Sequence, residues 1–129
     1  MPRADTLPEL LRPLMGGTSL TLDHCAVCGR PWPLNQHHVV RRGAGRMYRQ
    51  GVEVPKPTIT LCGSGNASGC HGLAHANRLH FRWARTVPAP SGLGTVASCC
   101  GHWEYLLCDE PTRYQDALAM GGWRMVCGR

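Results

Sequence analysis

Residues 58–75 read TITLCGSGNASGCHGLAH, and this stretch carries the fold. TITLC at 58–62 alternates β-branched and apolar residues, the pattern of a short strand. CGSGNASGC at 62–70 is a Gly/Ser/Asn loop. HGLAHANRL then reads as a helix, with His71 and His75 at i and i+4 on one face. Strand, tight loop and helix thus follow in quick succession, with a Cys at each end of the loop.

Upstream lies a second pair of thiols, Cys25-Ala-Val-Cys28, followed by Gly29. Two thiolates at C-x2-C spacing can grip one tetrahedral ion at about 2.3 Å per bond. Such a half-site needs a second pair. Cys62, separated from Cys28 by 33 residues, and Cys70, separated from Cys62 by seven, are placed to complete a four-thiolate zinc site. The alternative for Cys62 and Cys70 is a buried thiol and a loop thiol. Cys25 and Cys28 fit that alternative poorly, because their surroundings are polar and bounded by Gly and Pro.

Histidines surround the same stretch. His71-x3-His75 sets two imidazoles one helical turn apart, a chelate spacing for a divalent metal. Alone, the pair would read as helix-surface residues. Here Cys70 immediately precedes His71, so a zinc knuckle would pin the start of the helix. His37-His38 opens an apolar pair, Val39-Val40, followed by Arg41-Arg42. Neighbouring side chains on a strand point to opposite faces. A twist at the strand end lets one His ligate a metal while the other meets substrate. His24, His80 and His102 are singletons and read as surface or core histidines.

The whole chain has 129 residues and a net charge of +6, enough for one domain. Thirteen of the 14 bases are Arg, the side chain suited to bidentate phosphate contact. Sixteen Gly and ten Pro argue against a helical bundle and a large α/β enzyme, and for a thin core with a metal staple. No apolar run approaches the roughly 20 residues of a spanning helix. The first residues lack a secretory signal, so a reducing cytoplasm is expected, where eight Cys suit metal binding better than disulfides. Cys99, Cys100, Cys108 and Cys127 lack C-x2-C spacing and read as buried thiols ahead of a second metal site.

Residues 1–24 form a loosely packed arm, its Leu-rich LPELLRPL limited to one or two helical turns by Pro8 and Pro13. Residues 43–57 read as a basic excursion between two strands. HFRWARTV and HWEYLL are two further strands, and TRYQDALAM is a short helix closed by Gly121-Gly122.

Taken in order, CAVC, QHHVVRR, TITLC and GCHGLAH resemble the HNH endonucleases of the ββα-metal (His-Me finger) class. The resemblance is nearest to small phage and prophage members with a four-cysteine zinc site. It covers residues 25 to about 83, leaving 1–24 as an N-terminal arm and 84–129 as a C-terminal extension packing on the core. It implies an α+β fold: a small ββα-metal nuclease core with a structural zinc knuckle, plus a C-terminal β-hairpin and short helix. It also implies metal-dependent hydrolysis of DNA phosphodiester bonds, in genome packaging or DNA processing, inside a bacterial host cell. A terminase large-subunit gene beside this one would favour packaging, with the phage terminase as partner.

The resemblance assigns roles residue by residue. His38 matches the general base that deprotonates water. His37, His71 and His75 match the ligands of a catalytic divalent ion, whether Mg, Mn, Ni or Zn. Arg41, Arg42, Arg46 and Arg49 crowd the segment after the base and are expected to contact phosphates. The chain departs from the family pattern at Pro57, five residues before Cys62, where the family carries its middle Asn. A backbone carbonyl from Pro57 could still orient the base; a nuclease that needs the Asn side chain would be weakened. The competing reading is a zinc-stabilised nucleic-acid-binding module without catalysis, and a weaker third is a zinc protein that binds another protein. A zinc ribbon needs the four Cys but has no use for His37, His38, His71 and His75 together.

Overall fold

The structure is a computed structural model that describes residues 14, 17–40, 47–49, 51–54, 56–89 and 91–126. It is a small mixed α/β fold with antiparallel sheets and a cluster of four cysteines. Its elements are β1 (Leu34–His38), β2 (Met47–Arg49), β3 (Val52–Val54), β4 (Thr58–Cys62), α1 (Gly69–His75), β5 (Leu79–Pro88), β6 (Thr95–Leu107), α2 (Tyr114–Leu118) and β7 (Arg124–Met125).

β4 is the TITLC strand, and it is more deeply placed than alternation alone requires. Ile59, Thr60, Leu61 and Cys62 are all buried, so both faces of the strand are covered. β1 pairs with it antiparallel, from Leu34 opposite Cys62 to His38 opposite Thr58. On its other edge Leu20 bridges parallel to Ile59, through Leu20 N–H to Thr58 O at 2.8 Å and Thr60 N–H to Leu20 O at 3.1 Å. The buried Thr60 hydroxyl is satisfied: it donates to Gln36 Oε1 at 2.7 Å and accepts from Leu22 N–H at 3.0 Å.

Residues 17–24 are therefore packed rather than loose. Leu14 is fully buried, Leu20 and Leu22 pack on the core, and Thr18 accepts the Trp103 indole N–H at 2.8 Å. The remainder of the arm lies outside the described residues.

Between β4 and α1 the chain turns back on itself so tightly that two positions exclude a side chain. Gly63 has φ +137°, and a Cβ there would lie 2.1 Å from Ser68 O; Gly69 has φ +64°, with Cys62 O at 2.5 Å from its would-be Cβ. α1 ends in a Schellman motif. Arg78 N–H reaches Leu73 O at 2.9 Å and Asn77 N–H reaches Ala74 O at 3.2 Å, with Asn77 at φ 60°.

β5 and β6 form a long hairpin with an irregularity between Ala84 and Thr86, and β7 adds a third strand beside β6. Residue 83 lies within β5, so the nuclease-like stretch and the C-terminal extension share that strand. One face of the sheet sends Leu79, Phe81 and Trp103 into the main core with Ile59, Leu61 and Val40. The other carries a smaller cluster of Leu106, Cys108, Ala117 and Trp123 under α2. Residues 47–54, expected as an excursion, contain the β2–β3 pairing. Among the described residues no helix is long and apolar enough to cross a membrane.

Candidate metal centres

Two side-chain clusters flank the β4–α1 turn. In the first, the sulfurs of Cys25, Cys28, Cys62 and Cys70 all lie within 4.8 Å of one another. Tetrahedral bonds of about 2.3 Å place ligand sulfurs about 3.8 Å apart, so the group has the size of one zinc site. Cys25 and Cys28 come from the turn at 25–28, closed by Gly29 N–H on Cys25 O at 2.9 Å. Cys62 ends β4 and Cys70 stands in the first turn of α1.

The donor chemistry also fits. Val27 N–H points at Cys25 Sγ at 3.4 Å and Cys70 N–H at Cys62 Sγ at 3.3 Å, bonds that favour sulfur carrying negative charge. The hydrogen bond with Cys70 holds the Cys25 thiol down to about 4, and the same contact, with burial, pushes Cys70 up. Burial raises Cys28 as well. Four ionised sulfurs this close repel unless they share a cation, and all-thiolate sets of this size select zinc or another soft metal. Cys28 and Cys62 approach to 3.5 Å, and Cys28 is the exposed member of the four.

In the second cluster, ligand nitrogens of His37, His71 and His75 all lie within 4.8 Å of one another. His71 Nε2 and His75 Nε2 are 3.2 Å apart, and the ring centroids are separated by 4.6 to 5.6 Å. Two nitrogens bound to one ion at about 2.1 Å and a tetrahedral angle would be about 3.4 Å apart. The i, i+4 spacing on α1 brings His71 and His75 together. Pairing of His37 with Ile59 in the β1–β4 ladder brings in the third ring.

The tautomer of His71 follows from its surroundings. Its Nδ1 lies 2.8 Å from Gly65 O, which can only accept, so Nδ1 carries the proton and Nε2 turns a lone pair toward the cluster. Burial, then the neighbouring His71, His75 and His38, hold His37 down to about 4. Burial and His71 lower His75 too. Both rings are therefore neutral at pH 7, the form in which imidazole binds metal.

His38 ends β1 opposite Thr58, close enough to His37 to depress its basicity. By strand alternation it lies on the face of Gln36, while Asn35 shares the face of His37. Its ring hydrogen-bonds to no described residue. The Pro57 carbonyl, fully buried, accepts Val39 N–H at 3.2 Å, the backbone amide next to His38. It thus braces the chain beside His38 through the main chain.

Two contributors escaped the sequence reading. Gly65 acts through its carbonyl, which no side-chain motif reveals. Asn35 donates its side-chain amide to Gly63 O and ties β1 to the turn between the clusters; its position two residues before His37 was the available signal.

Arg41, Arg42 and Arg46 lie outside the described residues, and Arg49 belongs to β2 with its side chain outside the description. His80 is buried with Nε2 on Asn77 O at 3.0 Å, His24 meets Asp23 at 2.7 Å and His102 meets Glu104 at 3.3 Å, so each singleton has a structural partner. Cys108 is a buried thiol of the smaller cluster. Only the backbones of Cys99 and Cys100 are described, and Cys127 lies outside the described residues. No protein-family model, curated protein or solved structure matches this chain.

Proposed function

We propose that this protein is a small metal-dependent DNA endonuclease of the HNH, ββα-metal kind, stabilised by a four-cysteine zinc site and encoded by a phage or prophage. The observation that carries the reading is the three-imidazole cluster on β1 and α1, one residue along the chain from the four-thiol cluster. A purely structural zinc module is served by the thiols alone.

Cys25, Cys28, Cys62 and Cys70 would hold zinc with every ligand position filled by protein. His37, His71 and His75 would hold the second ion and leave coordination positions for water and a phosphate oxygen. A divalent cation there supplies Lewis-acid polarisation of the phosphate and neutralises charge on the departing 3′-oxygen. His38 accepts the proton of the attacking water at a ring nitrogen. The O–P bond to water forms as the bond to the 3′-oxygen breaks. The Gly65 carbonyl keeps His71 in the ligating tautomer, and the main-chain bond from Val39 to Pro57 holds the His38 backbone. Arg41, Arg42, Arg46 and Arg49 follow the base and draw the phosphate backbone of DNA toward it, which makes binding salt-dependent.

The test is plasmid cleavage. Protein freed of loosely bound metal is inert; added Mg²⁺, Mn²⁺, Ni²⁺ or Zn²⁺ restores nicking or linearisation. His38→Ala abolishes cleavage while keeping the zinc content and melting temperature of the parent. Undiminished cleavage by His38→Ala removes that residue as the base. DNA binding with no cleavage under any metal favours the non-catalytic binding module.

A further inference from the structure

Trp32 stands apart from the other three tryptophans. Trp103 is buried, with its indole N–H on Thr18 O; Trp83 stacks edge-on against Trp103 at 5.2 Å; Trp123 lies under the Arg82 guanidinium at 4.3 Å and donates to Ala117 O. Trp32 is 79% exposed. An indole is the largest apolar surface a side chain can offer, and leaving one in water forgoes the gain from its burial.

The segment that presents it is braced. Cys25 N–H bonds Arg30 O at 2.9 Å, and Gly63 N–H bonds Pro33 O at 3.0 Å, so residues 30–33 are tied to both halves of the thiol cluster. Prolines flank the indole on each side, and a pre-ordered aromatic loses little freedom when a ligand covers it. Arg30 is exposed two residues away, residues 28–33 contain no acid, and the chain carries +6.

We infer that Trp32 is a stacking platform for an unpaired nucleobase of a DNA strand, with Arg30 beside it for the adjoining phosphate. This rests on the endonuclease reading and deepens it. Trp32 and His37 are five steps apart along the chain, which at about 3.3 Å each puts their Cα atoms no more than about 17 Å apart. That is roughly five steps of a strand at 3.4 Å per nucleotide. Trp32 would therefore hold the strand beyond the scissile bond and set where it lies, without touching the reacting atoms.

The experiment uses the full chain with its zinc retained and no other divalent ion added, so that bound DNA stays intact. Fluorescence anisotropy follows binding of a labelled oligothymidine, and tryptophan emission is read in parallel. The parent binds with quenching of emission. Trp32→Ala weakens affinity about 5- to 150-fold, the range for removal of one base–aromatic stack. Trp32→Phe recovers most of it. Both variants keep the parent's melting temperature and salt slope, because the basic side chains that meet phosphate are all still present.

Equal affinity of Trp32→Ala and parent overturns the platform and leaves the endonuclease reading standing. Failure of the parent to bind or cut any DNA overturns both. Self-association of the parent without DNA, abolished by Trp32→Ala, makes the indole a protein contact and also overturns the platform.

Discussion

Replacing Cys25 by Ser gives the sharpest test of the thiol cluster. Cys25 is completely buried and sits in the main core beside Ala26 and Val27. The substitution removes one of four ligands and leaves a hydroxyl in a slot without exposure. Structural zinc sites contribute about 10–16 kcal/mol of binding free energy, which is folding free energy in a small domain; one ligand's share is about 3 kcal/mol. A buried hydroxyl short of its hydrogen bonds adds about 1–3 kcal/mol. The sum, about 5 kcal/mol, is comparable to the whole stability of a marginal domain. Unfolding entropy of about 2.1 cal/mol/K per residue amounts to about 0.27 kcal/mol/K for a chain of this length, so the melting temperature falls by about 18 °C. Cys28→Ser loses the ligand share but not the burial penalty, since Cys28 is exposed, and falls by about 11 °C. The assay is a thermal melt of each variant beside elemental analysis, with one zinc per chain in the parent. A folded parent without zinc, or Cys25→Ser melting with the parent, refutes the reasoning.

Gly63→Ala replaces no ligand, yet its Cβ would lie 2.1 Å from Ser68 O and 3.3 Å from His71 Cβ at a φ of +137°. A drop in stability of about 2–4 kcal/mol is expected, with faster zinc release to a chelator, because the turn that sets Cys62 against Cys70 must open. Burial holds the His37 pKa at about 4, below its unfolded value, so the unfolded chain binds more protons in acid. Stability conferred by neutral His37 is present above about pH 6.5 and is lost as pH falls toward 4; denaturation of His37→Gln against the parent across that window should show a flatter slope for the variant. Replacing Arg41, Arg42, Arg46 or Arg49 singly by Ala should lower the salt slope of DNA binding by about 1 for each phosphate that is no longer neutralised. Unchanged slopes in all four would move the DNA interface elsewhere.

Local spacing was enough to read much of the site. C-x2-C at 25–28 and H-x3-H at 71–75 each bring their donors together within one turn of chain, so turn and helix geometry decide the approach without help from the rest of the fold. TITLC was legible as a strand because β-branched residues crowd it, and GSGNASG as a loop because only glycine tolerates the conformations at 63 and 69. Closing each cluster, however, depends on contacts between distant residues. Which of His37 and His38 joins α1 turns on a register that pairs His37 with Ile59, and a shift of one residue would exchange their faces. The packing of Leu14 and Leu20 arises because the free edge of β4 and the space beside Trp103 need covering, a demand invisible in a Pro-broken Leu-rich arm. β7, two residues long, has no pattern to read and exists because β6 offers it an edge. The sequence by itself thus determined the donors and their local pairing. Tertiary structure decided how the pairs meet, because burial of β4 on both faces and the tight turn at Gly63 and Gly69 are what carry Cys62, Cys70 and His71 to their partners.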